Sequence, residues 1–231
     1  MDNLSQAIPL RHSVRKFTSR PLPPSVVERL RDEVEQCNSL SGLHIQLVTD
    51  EPKAFSGLLS YGKFSGVTHY FVMAGCKSPG FDERVGYYGE RLVLLAQTLG
   101  LNTCWVGLSY RKVPSAFSLL PNERVACVIA VGYGVGSGFA HRTKRVDQVS
   151  NADASTPDWF RRGVEAALLA PTAINQQKFR FTYVAASTPD EPPAVIARPG
   201  FSLVGYTHID LGIAKLHFEL GAAVPFRWKT P

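Results

Sequence analysis

The chain has 231 residues, which is enough for one large domain or two small ones. It is 45% hydrophobic and 19% charged, a globular composition that excludes wholesale disorder. The net charge of +6 comes with no basic helix and no zinc-finger spacing, so we expect a small anionic ligand rather than a nucleic-acid partner.

The apolar runs and the cysteines argue against a membrane protein and a metal protein. No run approaches the roughly 18 apolar residues that span a bilayer. The opening "MDNLSQAIPLRH" has no signal pattern, so we expect a cytoplasmic protein with no membrane partner. The cysteines form no CxxC pair, which predicts buried free thiols and no metal site; they are Cys37, Cys76, Cys104 and Cys127.

The first half of the chain mixes helical and strand patterns. A basic cluster, "RHSVRKF" (residues 11–17), precedes a helix with Val26, Leu30 and Val34 near helical spacing. "GYYGERLVLLAQTLGLN", from Gly86, predicts a second helix with an apolar face. Four segments have the β-branched or alternating pattern of strands: "HIQLVTD", "THYFVMAGC", "TCWVGL" and "RVACVIAVGYG".

The second half repeats part of this order. "WFRRGVEAALLAP" (159–171) predicts a helix and "FRFTYVA" (179–185) a strand. The helix "GYTHIDLGIAKLHFELGA" echoes the one at Gly86, and its Gly205 lies 119 residues after Gly86. A polar connector (145–158) separates the two parts. The pattern predicts an α+β fold with an internal duplication, although chance similarity of two helix openings is the alternative.

Several motifs resemble the FMN-dependent nitroreductase family. "RHSVRKF" is similar to the family's N-terminal flavin motif, and "APTAINQQKF" (170–179) to its second motif, Pro-Ser-x-x-Asn-x-Gln-Pro-Trp. "TCWVGL" and "RVACVIAVGYG" are similar to the later core strands, and "HRTKRVDQV" to the basic segment after them. The resemblance implies a nitroreductase-like α/β sandwich. It differs from the family pattern in that Lys178-Phe179 replaces Pro-Trp.

Ordinary family members carry both flavin motifs in one half, with the second directly after the first helix; here the second motif appears about 135 residues after that place, in the other half. Those enzymes are homodimers with FMN at the subunit interface. The resemblance therefore implies the fused subgroup, in which two similar halves form a pseudo-dimer within one monomeric chain. We expect a first half at 1–147 and a shorter second half at 158–231, with one site between them.

The resemblance implies that the anion is the phosphate of FMN. Alternation would place Arg11, Ser13 and Arg15 on one face of an extended segment, as a phosphate and ribityl cradle. By resemblance, Lys63 would lie near the N1 edge of the flavin ring, and the backbone N–H of Gly107 near N5. The remaining expected cofactor contacts are His12, Arg142, Lys144, Pro171, Thr172, Asn175 and Gln177.

Each of these assignments has a structural alternative. The cluster at 11–17 could be a solvated surface, Lys63 a surface lysine, and Gly107 a glycine that ends a strand. Arg142 and Lys144 could belong to a solvated linker. No protein nucleophile or acid–base pair is evident, so the sequence identifies no catalytic side chain.

The expected function is an FMN-dependent oxidoreductase that takes electrons from NADH or NADPH. It would pass them to nitro- or quinone-like acceptors by a ping-pong mechanism. Two alternatives remain open at this point. One is a flavin-binding protein of the same fold with another role, such as flavin storage or destruction or oxidation of a specific metabolite. The other is a flavin-free interaction protein.

Overall fold

The fold contains two sheets, one from each half of the chain. It is seen in a computed structural model that describes residues 4–57, 63–186, 188 and 191–230. The first half contains α1 Leu4–Ala7, α2 Pro24–Ser41, β1 Gln46–Val48, β2 His69–Cys76, α3 Phe81–Thr98, β3 Asn102–Val106 and β4 Glu123–Gly132. The second contains α4 Val146–Val149, α5 Asp158–Leu168, β5 Phe179–Val184, β6 Ala194–Pro199, α6 Thr207–Ala222 and β7 Arg227–Trp228.

The larger sheet has the order β1-β2-β4-β3, and all its pairings are antiparallel. The first seven residues of β2, 69–75, are buried, so both faces of this strand are covered. The smaller sheet has the order β5-β6-β7, with β5 antiparallel and β7 parallel to β6. Its inner face packs on an aromatic cluster of the second half, which includes Phe160, Phe181, Phe218 and Trp228.

Helices α3 and α6 cross in direct backbone contact. A Cβ added at Gly86 would lie 2.0 Å from the carbonyl oxygen of Ile209. Reciprocally, a Cβ added at Gly212 would lie 2.0 Å from the carbonyl oxygen of Glu83. Only glycine allows so close an approach from both sides. Adding 126 to the numbers of Glu83 and Gly86 gives Ile209 and Gly212, so the crossing relates the helices at a constant spacing.

The element order α2-β1-β2-α3 recurs as α5-β5-β6-α6. The residues before the paired helices also match in conformation. Pro23 and Pro157 precede α2 and α5 with φ of −59° and −58°. Gly80 and Tyr206, again 126 positions apart, precede α3 and α6 with φ of 71° and 62°. The sequence-based pairing of Gly86 with Gly205 was therefore wrong by seven residues, because Gly205 lies before its helix and Gly86 lies inside.

Most predicted elements are present, with three differences. The connector is partly ordered: it contains α4, and Ser150 bridges to Phe181 of β5. Strand β6 was not predicted, because Arg198 and Pro199 interrupt its apolar run. Cys76 is exposed rather than buried, since it is the last residue of β2. Within the described ranges, no helix is long and apolar enough to cross a bilayer.

Candidate functional site

A cleft of about 250 Å³ lies between the two halves of the chain. The first half contributes the N-terminal segment and the end of β3, and the second half contributes the turn after α5 and the start of α6. The lining residues are Ser13, Arg15, Cys104, Trp105, Val106, Gly107, Leu108, Cys127, Pro171, Thr172, Ala173, Ile174, Val204, Tyr206, Ile209, Asp210 and Ile213. Five of the twelve predicted cofactor contacts line this cleft, and seven do not: Arg11, His12, Lys63, Arg142, Lys144, Asn175 and Gln177.

The N-terminal segment is extended and lies parallel to β3. The backbone N–H of Val14 donates to the carbonyl oxygen of Thr103 at 2.9 Å. Alternation then places Val14 in the core and turns Ser13 and Arg15 toward the cleft, as the sequence predicted for these two. Arg15 is exposed and forms no ion pair with any residue that the structure describes. Its guanidinium is thus available to a ligand.

Arg11 does not share this face, contrary to the prediction from alternation. Its backbone N–H closes the turn after α1, and its side chain is 3% exposed. Its Nε lies 3.7 Å from Oε1 of Glu90, and its guanidinium donates to the carbonyl oxygen of Leu169. The extended segment begins only after Arg11, and for this reason alternation fails there. Arg11 is paired in the interior rather than aimed into the cleft.

Glu90 is the centre of a buried polar cluster behind the cleft wall. It accepts a hydrogen bond from the indole N–H of Trp105 at 2.9 Å and lies 2.9 Å from Nε2 of His217. Nδ1 of His217 lies 3.1 Å from the carbonyl oxygen of Ala166 and must donate to it. This cluster ties Arg11, α3, β3, α5 and α6 together. It fixes Trp105, whose ring lines the cleft.

Gly107 follows β3 and lines the cleft. A Cβ at this position would lie 2.5 Å from the phenol oxygen of Tyr206. Burial raises the pKa of Tyr206, which keeps its hydroxyl protonated near neutral pH. Any larger residue at 107 would displace the Tyr206 ring and narrow the cleft. The glycine therefore has a packing reason here in addition to its predicted role.

The turn after α5 contains three non-glycine residues in the left-handed region of φ. These are Ile174 at 47°, Asn175 at 57° and Gln177 at 45°. Pro171, Thr172 and Ile174 line the cleft, so this part of the predicted second motif faces it. A β-branched residue such as Ile174 is rare in this conformation, and such strain is concentrated at functional sites.

Asn175 and Gln177 do not line the cleft but bind the predicted basic segment. Both donate side-chain hydrogen bonds to the carbonyl oxygen of Arg142 at 2.8 Å. Gln177 also accepts from the backbone N–H of Lys144, whose ammonium donates to the carbonyl oxygens of Gln176 and Gln177. Burial lowers the pKa of Lys144. These contacts hold residues 142–144 against the turn. Direct contacts of Asn175, Gln177, Arg142 and Lys144 with a flavin are still predictions.

His12 and Lys63 also lie off the cleft. His12 is half-buried, and its pKa is lowered by burial and by the neighbouring Arg11 and His141. Lys63 is exposed and follows residues 58–62, which are outside the described ranges. The side chain of Arg142 is exposed as well. For these three residues the predicted contact with a flavin is not tested by their position.

Sequence reasoning missed Asp210, which is 2% exposed in the first turn of α6 and lines the cleft. Its Oδ1 accepts from the backbone N–H of Ala173 at 3.0 Å, and its Oδ2 from Nε2 of Gln176 at 2.7 Å. Burial raises the pKa of this carboxyl to about 6, against the two hydrogen bonds that lower it. The available signal was a lone acid on the apolar face of a predicted helix.

The cleft thus combines one exposed cation and a hydroxyl, from Arg15 and Ser13, with mostly apolar walls. Trp105, Val106, Ile209 and Ile213 provide those walls. No group of three or more histidine, cysteine or acidic side chains that could hold a metal occurs in the part of the chain described. The arrangement can receive a largely apolar ligand with an anionic group.

Comparison with known proteins agrees with this fold over nearly the whole chain. The model of a family described as "Putative TM nitroreductase" matches residues 3–222. A "putative nitroreductase" from Thermotoga maritima is 26% identical, with a TM-score of 0.60, and the match covers 95% of this chain and 83% of that one. A search of curated proteins gave no match.

Two more distant structures share the fold. Nitroreductase A from Vibrio parahaemolyticus is 19% identical with a TM-score of 0.51, over 68% of this chain and 79% of that one. A nitroreductase-like protein from Streptococcus mutans is 13% identical with a TM-score of 0.54, over 65% and 97%. With the family match spanning residues 3–222, the chain belongs to this nitroreductase family and has a general oxidoreductase role.

Proposed function

We propose that the protein is an FMN-dependent oxidoreductase that takes electrons from NADH or NADPH and passes them to nitro- or quinone-like acceptors. The observation that carries this proposal is the cleft between the halves. It joins the hydroxyl of Ser13 and an exposed Arg15, which has no ion-pair partner among the described residues, to walls that are mostly apolar. A phosphomonoester near neutral pH has about two negative charges, which an arginine fork binds well.

When bound, FMN would supply the hydride and electron transfer. The residues of this chain would bind and orient the cofactor and exclude water from the cleft. Arg15 and Ser13 would hold the phosphate or ribityl hydroxyls, and Trp105 and Ile209 would provide apolar surface for the flavin ring. Glu90 fixes the orientation of Trp105 through the indole N–H at 2.9 Å. Thr172 and Tyr206 place two further hydroxyls at the cleft for polar groups of a ligand.

The two substrates would use the same cleft in turn, and for this reason we infer a ping-pong mechanism. Nicotinamide and acceptor would both exchange electrons with the same flavin, so each would have to reach it through this cleft. Steady-state kinetics with both substrates varied should give parallel double-reciprocal lines, and intersecting lines would contradict this mechanism.

We also propose that the chain is a fused pseudo-dimer, with halves at 1–147 and 158–231. The repeated element order and the reciprocal crossing at Gly86 and Gly212 support it. A chain that contains both halves of one site needs no second copy, so we expect a monomer. A cytoplasmic location, as expected from the sequence, completes the proposal.

The visible absorption spectrum of the purified protein tests the function most simply. After incubation with FMN and gel filtration, the protein should keep a flavin spectrum that NADPH or NADH bleaches and a quinone restores. Riboflavin, which lacks the phosphate, should bind more weakly. A retained flavin that neither nicotinamide reduces would indicate a flavoprotein with another role. Failure to retain FMN would refute the cofactor assignment.

A further inference from the structure

The turn at residues 172–177 carries backbone strain at the mouth of the cleft. Ile174 has a φ of 47°, and its side chain is 79% exposed although it lines the cleft. An exposed isoleucine gains little from its own packing. Its left-handed backbone costs free energy that surrounding contacts must offset. Contacts from outside this turn therefore hold the conformation of Ile174.

Asp210 is the group from α6 that reaches into this turn. One carboxylate oxygen accepts the backbone N–H of Ala173, directly before Ile174, and the other accepts the side chain of Gln176, directly after Asn175. The two bonds clamp the strained pair from both sides. Gln176 also donates to the carbonyl oxygen of Gly205 and accepts from the hydroxyl of Ser202. Asp210 is thus the junction between the turn and the start of α6.

The side chain that the turn presents is apolar, and it has apolar neighbours on the same cleft. Leu108 is 77% exposed and Val204 is 44% exposed, and both line the cleft with Ile174. Large apolar side chains that are exposed together at a cavity mouth indicate a surface that a ligand covers. Because a flavin bound inside would fill most of the cleft, this rim would contact the molecule that enters next.

We propose that Asp210 is a positioning residue that holds the 172–177 turn against α6, so that Ile174 stands at the cleft mouth and selects the second substrate. The inference rests on the proposed function for the selection step. The positioning step stands on the hydrogen bonds alone. Ile174 acts by apolar contact, so it distinguishes bulky apolar acceptors from small hydrophilic ones.

Amide hydrogen exchange of the flavin-free protein tests the positioning step. The backbone N–H groups of Asn175 and Gln176 bond within the turn, to Thr172 and Ala173, and not to Asp210. Asp210→Ala should speed their exchange by about tenfold or more, whereas Asp158→Ala, in the exposed first turn of α5, should not. Glycine tolerates the φ of residue 174, so Ile174→Gly in the Asp210→Ala background should restore most of the protection.

The double variant keeps the test independent of a general loss of folding. If Asp210→Ala leaves the two turn amides protected, the positioning role is wrong. If the double variant stays as unprotected as Asp210→Ala alone, Asp210 does not act by offsetting the strain at Ile174. The proposal is then overturned as well.

The selection step is tested on the FMN-loaded protein with menadione, an apolar two-ring quinone, and with ferricyanide. Ile174→Gly should raise KM for menadione by about tenfold, with little change in kcat and little change in KM for ferricyanide. Equal changes for both acceptors would refute selection by Ile174. If no variant, nor the unaltered protein, reduces either acceptor, the proposed function fails, while hydrogen exchange still decides the role of Asp210.

Discussion

The protein contains two clefts at equivalent places of the α3–α6 crossing, and they differ in what they can receive. The candidate cleft uses Tyr206, Ile209, Asp210 and Ile213 of α6 and the residue before it. A second cleft, of about 320 Å³, uses the positions 126 earlier, which are Gly80, Glu83, Arg84 and Tyr87. The second cleft is completed by Tyr88, Lys215, Glu219 and Trp228.

The second cleft already contains partners for its own polar groups. Lys215 lies 2.7 Å from Glu83 and 4.5 Å from the centre of the Trp228 ring. Tyr87 and Trp228 both donate to Glu219. In the candidate cleft Arg15 has no carboxylate partner among the described residues, and the walls are mostly apolar. One backbone arrangement thus gives two cavities, and side chains decide which of them is open to an anionic, flat ligand.

The largest effect should come from the buried cluster that supports the candidate cleft. Glu90→Ala would leave Arg11 and His217 without their carboxylate in the interior, and breaking a buried pair costs about 3–5 kcal/mol. The matched change in the second cleft, Glu83→Ala, breaks a partly exposed pair and should cost about 1 kcal/mol or less. Urea unfolding of both variants measures the difference. Equal losses would show that the two clefts are supported alike.

The pH dependence of stability should separate Asp210 from its counterpart Arg84. Folding raises the pKa of Asp210 from 3.8 to about 6, so between these values the folded state holds a proton that the unfolded chain has released. Stability therefore falls as the pH rises from about 4 to 6, by about 3 kcal/mol at about 1.4 kcal/mol per pKa unit.

Asparagine does not titrate, so Asp210→Asn should flatten this part of the profile. Arg84→Gln should leave it unchanged, since arginine stays charged over this range. Unfolding free energies at pH 4, 5, 6 and 7 provide the measurement. A profile of Asp210→Asn that runs parallel to that of the unaltered protein would show that this carboxyl does not titrate in the window.

The affinity for FMN should depend on the cation of the candidate cleft and not on that of the second cleft. A charge-assisted hydrogen bond is worth about 1.5–3 kcal/mol, so Arg15→Ala should weaken FMN by about 10- to 150-fold. Lys215→Ala removes a cation from the second cleft and should leave the affinity nearly unchanged. Flavin fluorescence titration measures both. Loss of binding in Lys215→Ala alone would exchange the roles of the two clefts.

Substitutions in α3 and in α6 at their crossing should destabilise the protein equally. Gly86→Ala and Gly212→Ala each place a methyl 2.0 Å from a backbone carbonyl oxygen of the partner helix. We expect each to cost about 1–3 kcal/mol by overpacking. Gly136→Ala has nothing within 4 Å of the added Cβ and serves as the control. Thermal unfolding with clearly unequal losses for the two helices would argue against a reciprocal crossing.

Local patterns predicted the elements well, because apolar periodicity depends on neighbours in the chain. Alternation along the chain also accounts for Ser13 and Arg15, which both line the cleft. Arg11 does not follow this alternation, because the carboxylate that draws it inside belongs to Glu90, 79 positions later in α3. No local rule links those two residues.

The spacing of the repeat and the role of the second motif were also beyond local reasoning. The matching Gly-Tyr letters suggested a spacing of 119 residues, whereas the two glycines at the helix crossing, Gly86 and Gly212, lie 126 positions apart. Gln177 has the residue type expected for a ligand contact, yet its side chain is satisfied by Arg142 and Lys144. Such roles depend on which segments meet in three dimensions.

We propose that the flavin binds in the cleft between the halves and not in the second cleft. The decisive measurement is the number of FMN molecules bound per chain. A known concentration of protein, well above the dissociation constant for FMN, is titrated with FMN, and sedimentation gives the mass of the complex. We predict one FMN per monomeric chain. Arg15→Ala should weaken the binding of this FMN, and Lys215→Ala should leave it unchanged. Two FMN molecules per chain, or FMN binding only by a dimer of chains, would contradict a single flavin site within one chain.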